Sequence, residues 1–190
     1  MPIDRRPGSG PDSKSTGGDH RLWTALHLWL RQPRRVGALV ALWCAGLLAF
    51  GLYLQHGVGL EPCPMCIVQR YALLLTLLSA LAAALARGAW ARALLALGAL
   101  WAAAGAAVAA RQSWLQWFPP EIAACGRDLY GMIESFPLRR AIPMIFRGTG
   151  DCTAIDWTFV GLTIANWSFV HFGALLVVLA AAWRASSRPR

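Results

Sequence analysis

Two cysteines separated by two residues, Cys63 and Cys66, stand at the start of a long apolar run, "EPCPMCIVQRYALLLTLLSALAAALA". A disulfide across so short a gap closes almost no loop and adds little stability, whereas such pairs commonly carry out thiol–disulfide exchange. Pro64 suits the first turn of a helix, because its missing N–H is not needed there. Both sulfurs would then lie where free N–H groups and the helix dipole favour a thiolate. The spacing predicts a redox-active dithiol.

Arg70 follows Cys66 by four residues, which places both side chains on one face of a helix, one turn apart. The apolar run that follows is long enough to cross a membrane, and an arginine near the boundary of such a span is costly to leave unpaired. An arginine there that faces neighbouring helices is therefore a candidate functional residue. The competing interpretation is an anchor whose guanidinium reaches the lipid headgroups. The spacing alone leaves both interpretations open.

Three further cysteines complete the set. Cys125 and Cys152 are far apart in the chain, and a disulfide between them would restrain the unfolded chain by roughly 3–4 kcal/mol in the entropic model. They could form a structural disulfide or a second exchanging pair. Zinc is the alternative for a CxxC with two further cysteines, but the second close pair expected of such sites is missing. Cys44 lies inside an apolar run and is interpreted as a packing residue.

The apolar runs that must position these residues have the length of membrane spans. Of 190 residues 57% are hydrophobic, the mean hydropathy is +0.46, and the runs approach the roughly 20 residues that cross a bilayer core. We therefore expect an all-α membrane protein, a four-helix transmembrane bundle. The third span is rich in small residues, which permit close helix packing. The spans are predicted at about 36–55, 67–86, 93–110 and 159–183.

The basic residues predict the orientation of this domain, 36–183. The net charge is +9, and Lys and Arg concentrate before the first span, between the second and third, and after the fourth. The positive-inside rule assigns those segments to the cytoplasm, and this distribution argues against a nucleic-acid partner. Both termini are then cytoplasmic. The N-terminal segment, 1–35, is expected to be a disordered or amphipathic tail, and residues 184–190 form a short C-terminal tail. A short first loop and a long second loop, both with cysteines, would face the oxidising periplasm, where disulfides are favoured over metal ligands.

Several stretches of the chain resemble the DsbB family of disulfide bond formation proteins. A CxxC with an arginine four residues later and a distant Gly-Asp-Cys, in this topology, is a specific combination. The resemblance covers roughly residues 36–183. It rests on "GLYLQH", "EPCPMCIVQR", "LQWFPPEIAAC" and "GTGDC" followed by "DWTFVGLTIANW".

The resemblance implies an enzyme of the bacterial inner membrane that reoxidises a periplasmic DsbA-like thioredoxin-fold oxidase and passes the electrons to membrane quinone, either ubiquinone or menaquinone. Cys125 would be attacked by the reduced partner. Cys152 would be its pair and would attack Cys63, and Cys66 would be the thiolate beside the quinone. Whether the partner is general or dedicated is left open. The rival function is a non-catalytic membrane subunit with structural disulfides or a metal site, which has no use for Arg70 or for the CxxC.

Two residues are implied at the quinone. Arg70 would stabilise the Cys66 thiolate and the quinone, and Gln116 would lie close to the site. The sequence departs from the family at Gln112, where some members have a histidine assigned to quinone contact. His171, within the fourth span, is an intramembrane polar residue for which a proton relay is the alternative to packing.

Overall fold

The structure is a computed structural model that describes residues 29–119 and 151–187. Cys125 and most of the expected N-terminal tail lie outside the described residues. The described part contains four long helices and, before the last of them, a small antiparallel hairpin. These elements are α1 (Pro33–His56), α2 (Pro64–Leu85), α3 (Gly88–Trp117), β1 (Thr158–Phe159), β2 (Leu162–Thr163) and α4 (Ile164–Ser187).

The four helices form a membrane bundle. Each is long and apolar enough to cross a bilayer, judged by length and composition over the described residues. α3 packs along both α2 and α4, while α1 packs mainly on α2 and makes a lighter contact with α4. The short connections at 57–63 and 86–87 make neighbouring helices antiparallel, so the start of α2 meets the ends of α1 and α3. The expected all-α four-helix membrane bundle is confirmed.

The helix bounds differ from the apolar runs in two places that matter for the site. α3 extends from Gly88 to Trp117, well beyond the predicted 93–110. The apolar run ends near Ala110, but the helical backbone continues through the more polar residues that follow it. At the other place, the fourth span was expected from 159, but α4 begins only at Ile164. Val160 and Gly161, with φ of 53° and 75°, form the tight turn between β1 and β2. Positive φ at both central residues is characteristic of a two-residue hairpin turn.

Small residues on α3 bring its backbone close to its neighbours. Gly98, Ala102 and Gly105 are buried along one side of this helix, as the sequence predicts. A Cβ at Gly105 would overlap the ring of Phe172 on α4. Cys44 is fully buried in the same apolar core, which agrees with a packing role.

Candidate active site

The CxxC motif is held by the first turn of α2. Cys63 is the N-cap residue of the helix and Pro64 its first residue. The Sγ of Cys63 accepts a hydrogen bond from the backbone N–H of Cys66 at 3.2 Å. The two sulfur atoms lie 2.7 Å apart. Helix geometry alone therefore brings the two sulfurs into contact, with Cys63 buried and Cys66 half-buried.

Cys152 brings a third sulfur to Cys63 from the segment that precedes β1. Its side chain is fully buried. The turn that carries it is closed by Asp151, whose Oδ1 accepts hydrogen bonds from the backbone N–H and the hydroxyl of Thr153, both at 2.9 Å. Such side-chain-to-backbone bonds are typical of aspartate in turns. Contact with Cys152 and with Cys66, together with burial, raises the pKa of the Cys63 thiol. A proton on the reduced site is therefore held at Cys63, although the spacing alone predicts a position that favours a thiolate for both sulfurs.

Gln112 of α3 faces the dithiol. Its Nε2 donates to the Sγ of Cys63 at 3.3 Å and to the Sγ of Cys66 at 3.4 Å. Its Oε1 accepts a 2.7 Å hydrogen bond from Nε2 of Gln69, one turn along α2 from Cys66. Both glutamines are almost fully buried, with 4% and 6% of the side chain exposed. Gln112, whose oxygen is held by Gln69, therefore presents its NH₂ group to both sulfurs, where N–H donors stabilise negative charge.

Arg70 reaches from α2 across to the end of α1. Its Nη1 donates to Oε1 of Gln55, and its Nη2 donates to the carbonyl oxygen of Gly51 at 3.1 Å. The guanidinium is half-buried and lines the same cavity as Cys66. Both of these hydrogen-bond partners are neutral, and no carboxylate of the described residues pairs with the guanidinium, so among them the positive charge remains available to a ligand in that cavity. This arrangement favours the bundle-facing interpretation of Arg70.

Gln116 lies one turn beyond Gln112 and also lines the cavity. Its side-chain amide is engaged by the protein: Nε2 donates to the carbonyl oxygen of Ala154 at 3.2 Å, and Oε1 accepts from the hydroxyl of Thr163 at 2.7 Å. These two bonds hold the segment that carries Cys152 against α3. Gln116 therefore lies near the cavity, where the family resemblance implies it, but its contacts are those of a residue that positions Cys152.

A cavity of about 400 Å³ opens beside Cys66. Pockets for small organic ligands have about 300–1,000 Å³, an apolar lining and a few convergent polar groups. This cavity matches that description, because aromatic and leucine side chains surround a small set of polar groups, and exposed carboxylates stand at its rim. The apolar lining includes Phe50, Leu54, Trp157, Trp167 and Phe172, the polar groups include Cys66, Arg70, Gln112 and His171, and the carboxylates are Glu61, Asp151 and Asp156.

The structure thus brings together Cys63, Cys66, Arg70, Gln116 and Cys152, five of the six residues that the sequence singles out. The sixth, Cys125, lies outside the described residues, and its role stays a prediction. Sequence reasoning noted Gln112 only as a departure from the family and missed Gln69, so the hydrogen bonds of this amide pair at the dithiol were not predicted. One signal in the sequence could have indicated this pair. Gln69 lies three residues after Cys66, and Gln112 lies just beyond the end of the third apolar run.

Fold and site together define a class: a multi-pass membrane protein with a partly buried dithiol beside an apolar cavity. Comparison with known proteins gives the family. Residues 33–182 match the family described as Disulfide bond formation protein DsbB. The match covers most of the chain, and close relatives in several bacteria support it. The chain therefore belongs to the DsbB family of disulfide bond formation proteins.

Three relatives, all called Disulfide bond formation protein B, show the extent of the similarity. The protein of a Polaromonas species (strain JS666) is 66% identical over 150 residues, which cover 77% of this chain and 88% of that protein. The Verminephrobacter eiseniae protein is 64% identical over 155 residues, with 80% and 88% coverage. The Paracidovorax citrulli protein is 59% identical over 163 residues, with 85% and 93% coverage.

Proposed function

We propose that this chain reoxidises a periplasmic DsbA-like thioredoxin-fold oxidase by disulfide exchange and passes the electrons to membrane quinone, thereby sustaining disulfide bond formation. The observation that carries this proposal is the contact of Cys63 with both Cys66 and Cys152. Disulfide exchange requires a thiolate to reach one sulfur of a disulfide while the other sulfur leaves. Cys152 is in position to attack Cys63, and Cys66 is the sulfur that would leave.

The exchange steps follow from that arrangement and from the family resemblance. A thiolate of the reduced partner attacks Cys125 in a Cys125–Cys152 disulfide, and Cys152 leaves as a thiolate. Cys152 then attacks Cys63 in the Cys63–Cys66 disulfide, so the Cys152–Cys63 bond forms and Cys66 leaves as a thiolate. The second thiol of the partner closes the partner's own disulfide and releases Cys125, which attacks Cys152 and frees Cys63. The net result is an oxidised partner and a reduced dithiol on α2.

The residues around Cys66 suit the charge that this sequence produces. Gln112 donates N–H groups to both sulfurs, and hydrogen bonds to a charged group are about twice as strong as neutral ones. The raised pKa of Cys63 keeps the remaining proton on that sulfur. The negative charge is therefore directed to Cys66, the sulfur beside the cavity.

The cavity fits a quinone. Its volume is adequate for a quinone headgroup, its aromatic wall suits a flat ring, and Cys66, Arg70 and Gln112 are the polar groups that would hold one edge. A bound quinone supplies an acceptor for the two electrons and two protons that the dithiol releases when its disulfide forms again. Arg70, fixed by Gln55 and Gly51, would attract the oxygen on which negative charge increases.

The proposed location is the bacterial inner membrane, with the cysteines on the periplasmic face and both termini in the cytoplasm. The placement of basic residues supports this orientation. Arg34 lies in the first turn of α1, Arg87 precedes α3 and Arg184 lies in the last turn of α4, so all three mark the bundle end opposite Cys63. An excess of Lys and Arg is characteristic of the cytoplasmic side.

Covalent trapping of the partner tests the proposal. In Cys152→Ser, the Cys125 thiolate loses its pair and attacks the disulfide of the oxidised partner, which gives a stable mixed disulfide visible on a non-reducing gel. We expect this complex with Cys152→Ser and with Cys44→Ser/Cys152→Ser, but not with Cys125→Ser/Cys152→Ser. Absence of the complex, or its persistence without Cys125, would overturn the proposed entry point for the thiol partner.

A further inference from the structure

His171 is a polar side chain within the membrane-spanning α4, and it lines the same cavity as Cys66 and Arg70. Its imidazole packs between two indole rings. Trp43 of α1 meets it edge-on, at a centroid distance of 5.9 Å and an interplanar angle of 89°. Trp167, one turn earlier on α4, lies at 5.9 Å and 32°. Within the part of the chain that the structure describes, the ring has these aromatic contacts and no hydrogen bond.

An imidazole in this position has unused hydrogen-bonding capacity. Neutral imidazole carries one N–H donor and one nitrogen acceptor. A polar group in hydrocarbon without a partner costs several kcal/mol, and intramembrane histidines are therefore typically functional. Packing alone would be served as well by a phenyl ring, such as that of the neighbouring Phe172. The hydrogen-bonding capacity of His171 is thus available to a ligand in the cavity.

The bundle places His171 across the cavity from the dithiol. α2 and α4 each pack on α3, and each also contacts α1, but they make little direct contact with one another, so they occupy diagonal positions. Cys66 and Arg70 belong to α2, and His171 belongs to α4. A quinone carries two carbonyl oxygens on opposite edges of its ring. A ring held at one edge by the α2 groups would direct its second carbonyl toward the α4 side.

We propose that His171 donates a hydrogen bond to the quinone carbonyl on the α4 side of the cavity, opposite the edge held by Cys66 and Arg70. This inference rests on the proposed function, because it assigns a residue to the quinone site. His171 is then a binding residue that orients the ring. Trp43 and Trp167 hold the imidazole in place through their aromatic contacts.

Two substitutions at His171 separate hydrogen bonding from packing. His171→Phe keeps a flat ring between the two indoles but removes the N–H, whereas His171→Asn keeps an N–H donor at about the position of the imidazole Nδ1 and removes the aromatic ring. His56→Phe is the matched control, since His56 is exposed at the end of α1 and does not line the cavity. Thermal unfolding of each variant checks that the bundle is intact.

The measurement is the Kd of short-chain ubiquinone for the full-length protein in lipid nanodiscs. We expect His171→Phe to raise Kd by about tenfold, the effect of losing one hydrogen bond in a desolvated site. His171→Asn should stay within about threefold of the wild type, and His56→Phe should match it. Equal Kd for the wild type and His171→Phe, or equal weakening in both His171 variants, would overturn this inference and leave the proposed function standing. A wild-type protein that binds no quinone would overturn both.

Discussion

The side chains of Gln69 and Gln112 are joined by a 2.7 Å hydrogen bond between α2 and α3, in which Gln69 donates and Gln112 accepts. An amide has one oxygen and one NH₂ group, so a partner for the oxygen determines which way the NH₂ group faces. Here the NH₂ group of Gln112 faces both sulfurs of the dithiol. Gln69 thus orients the group that donates to Cys63 and Cys66.

Removal of the Gln112 amide should slow quinone reduction. Gln112→Leu deletes two hydrogen bonds to sulfur at a site where charge develops, and one such bond to a charged group contributes about 1.5–3 kcal/mol. We expect kcat for quinone reduction to fall at least about tenfold. The rate is followed by quinone absorbance with the reduced partner as electron donor.

Two companion variants test the role given to the Gln112 amide. Gln112→His retains an N–H donor and should keep most of the activity. Gln69→Leu removes only the orienting bond and should have a smaller effect than Gln112→Leu. If Gln112→Leu were as active as the wild type, the amide would have no part in stabilising the dithiol.

Loosening the segment that carries Cys152 should impair exchange between the cysteine pairs and spare the quinone step. Thr163→Val keeps the side-chain shape and removes the hydroxyl that donates to Gln116 and also accepts from the backbone N–H of Asn166 at 3.3 Å in the first turn of α4. Each hydrogen bond of this kind contributes about 1 kcal/mol. We expect turnover with the thiol partner to fall roughly fivefold. Quinone reduction driven by a small dithiol that reduces Cys63–Cys66 directly should be unchanged. Equal losses in both assays would contradict a positioning role for this bond.

Arg70→Gln should raise the apparent KM for quinone more than the apparent KM for the partner. The guanidinium carries a charge at the cavity wall and is fixed by two oxygens of α1, and glutamine supplies neither the charge nor the reach. We expect an increase of about tenfold, since a charged hydrogen bond to the ligand is lost. Arg111→Gln is the matched control, because Arg111 is exposed and does not line the cavity. A larger rise in the KM for the partner than in the KM for quinone would contradict a role of Arg70 in quinone binding.

Gly105→Ala should destabilise the bundle. The added Cβ overlaps the Phe172 ring, and overpacking of this kind costs about 1–3 kcal/mol. For a chain of this size the loss corresponds to a fall in Tm of roughly 2–10 °C. Gly173→Ala is the control, since its Cβ would meet no atom within 4 Å. We expect its Tm, measured in the same detergent, to equal or slightly exceed that of the wild type, because alanine favours helix more than glycine does.

Local sequence patterns predict the dithiol and the bundle. Cys63, Cys66 and Arg70 fall within little more than two helical turns, so their spacing alone places them on one end of one helix. Membrane spans are equally local, because about 20 apolar residues suffice to cross the bilayer. The small residues Gly98 and Gly105 are a local pattern as well, and small residues at this spacing predict close packing of helices.

Individual contacts between helices cannot be predicted from local sequence patterns. The approach of Gln112 to Cys66 depends on the register of α3 against α2 and on the continuation of α3 past its apolar run. The placement of Gln116 near the site is predictable from the family resemblance, but its bonds to Ala154 and Thr163 depend on how a distant segment folds back. The turn at Val160 and Gly161 lies within an apolar stretch, so hydropathy does not reveal it.

The central claim is that electrons leave the protein from Cys66 into the cavity. The most direct measurement mixes purified protein, the reduced thioredoxin-fold partner and ubiquinone, and follows quinone absorbance for the wild type, Cys66→Ser and Cys44→Ser. Cys44 is buried in the core away from the cavity, so its replacement controls for the loss of a thiol. We predict that the wild type and Cys44→Ser reduce quinone at similar rates and that Cys66→Ser falls to the background rate. Quinone reduction by Cys66→Ser at the wild-type rate would contradict the claim.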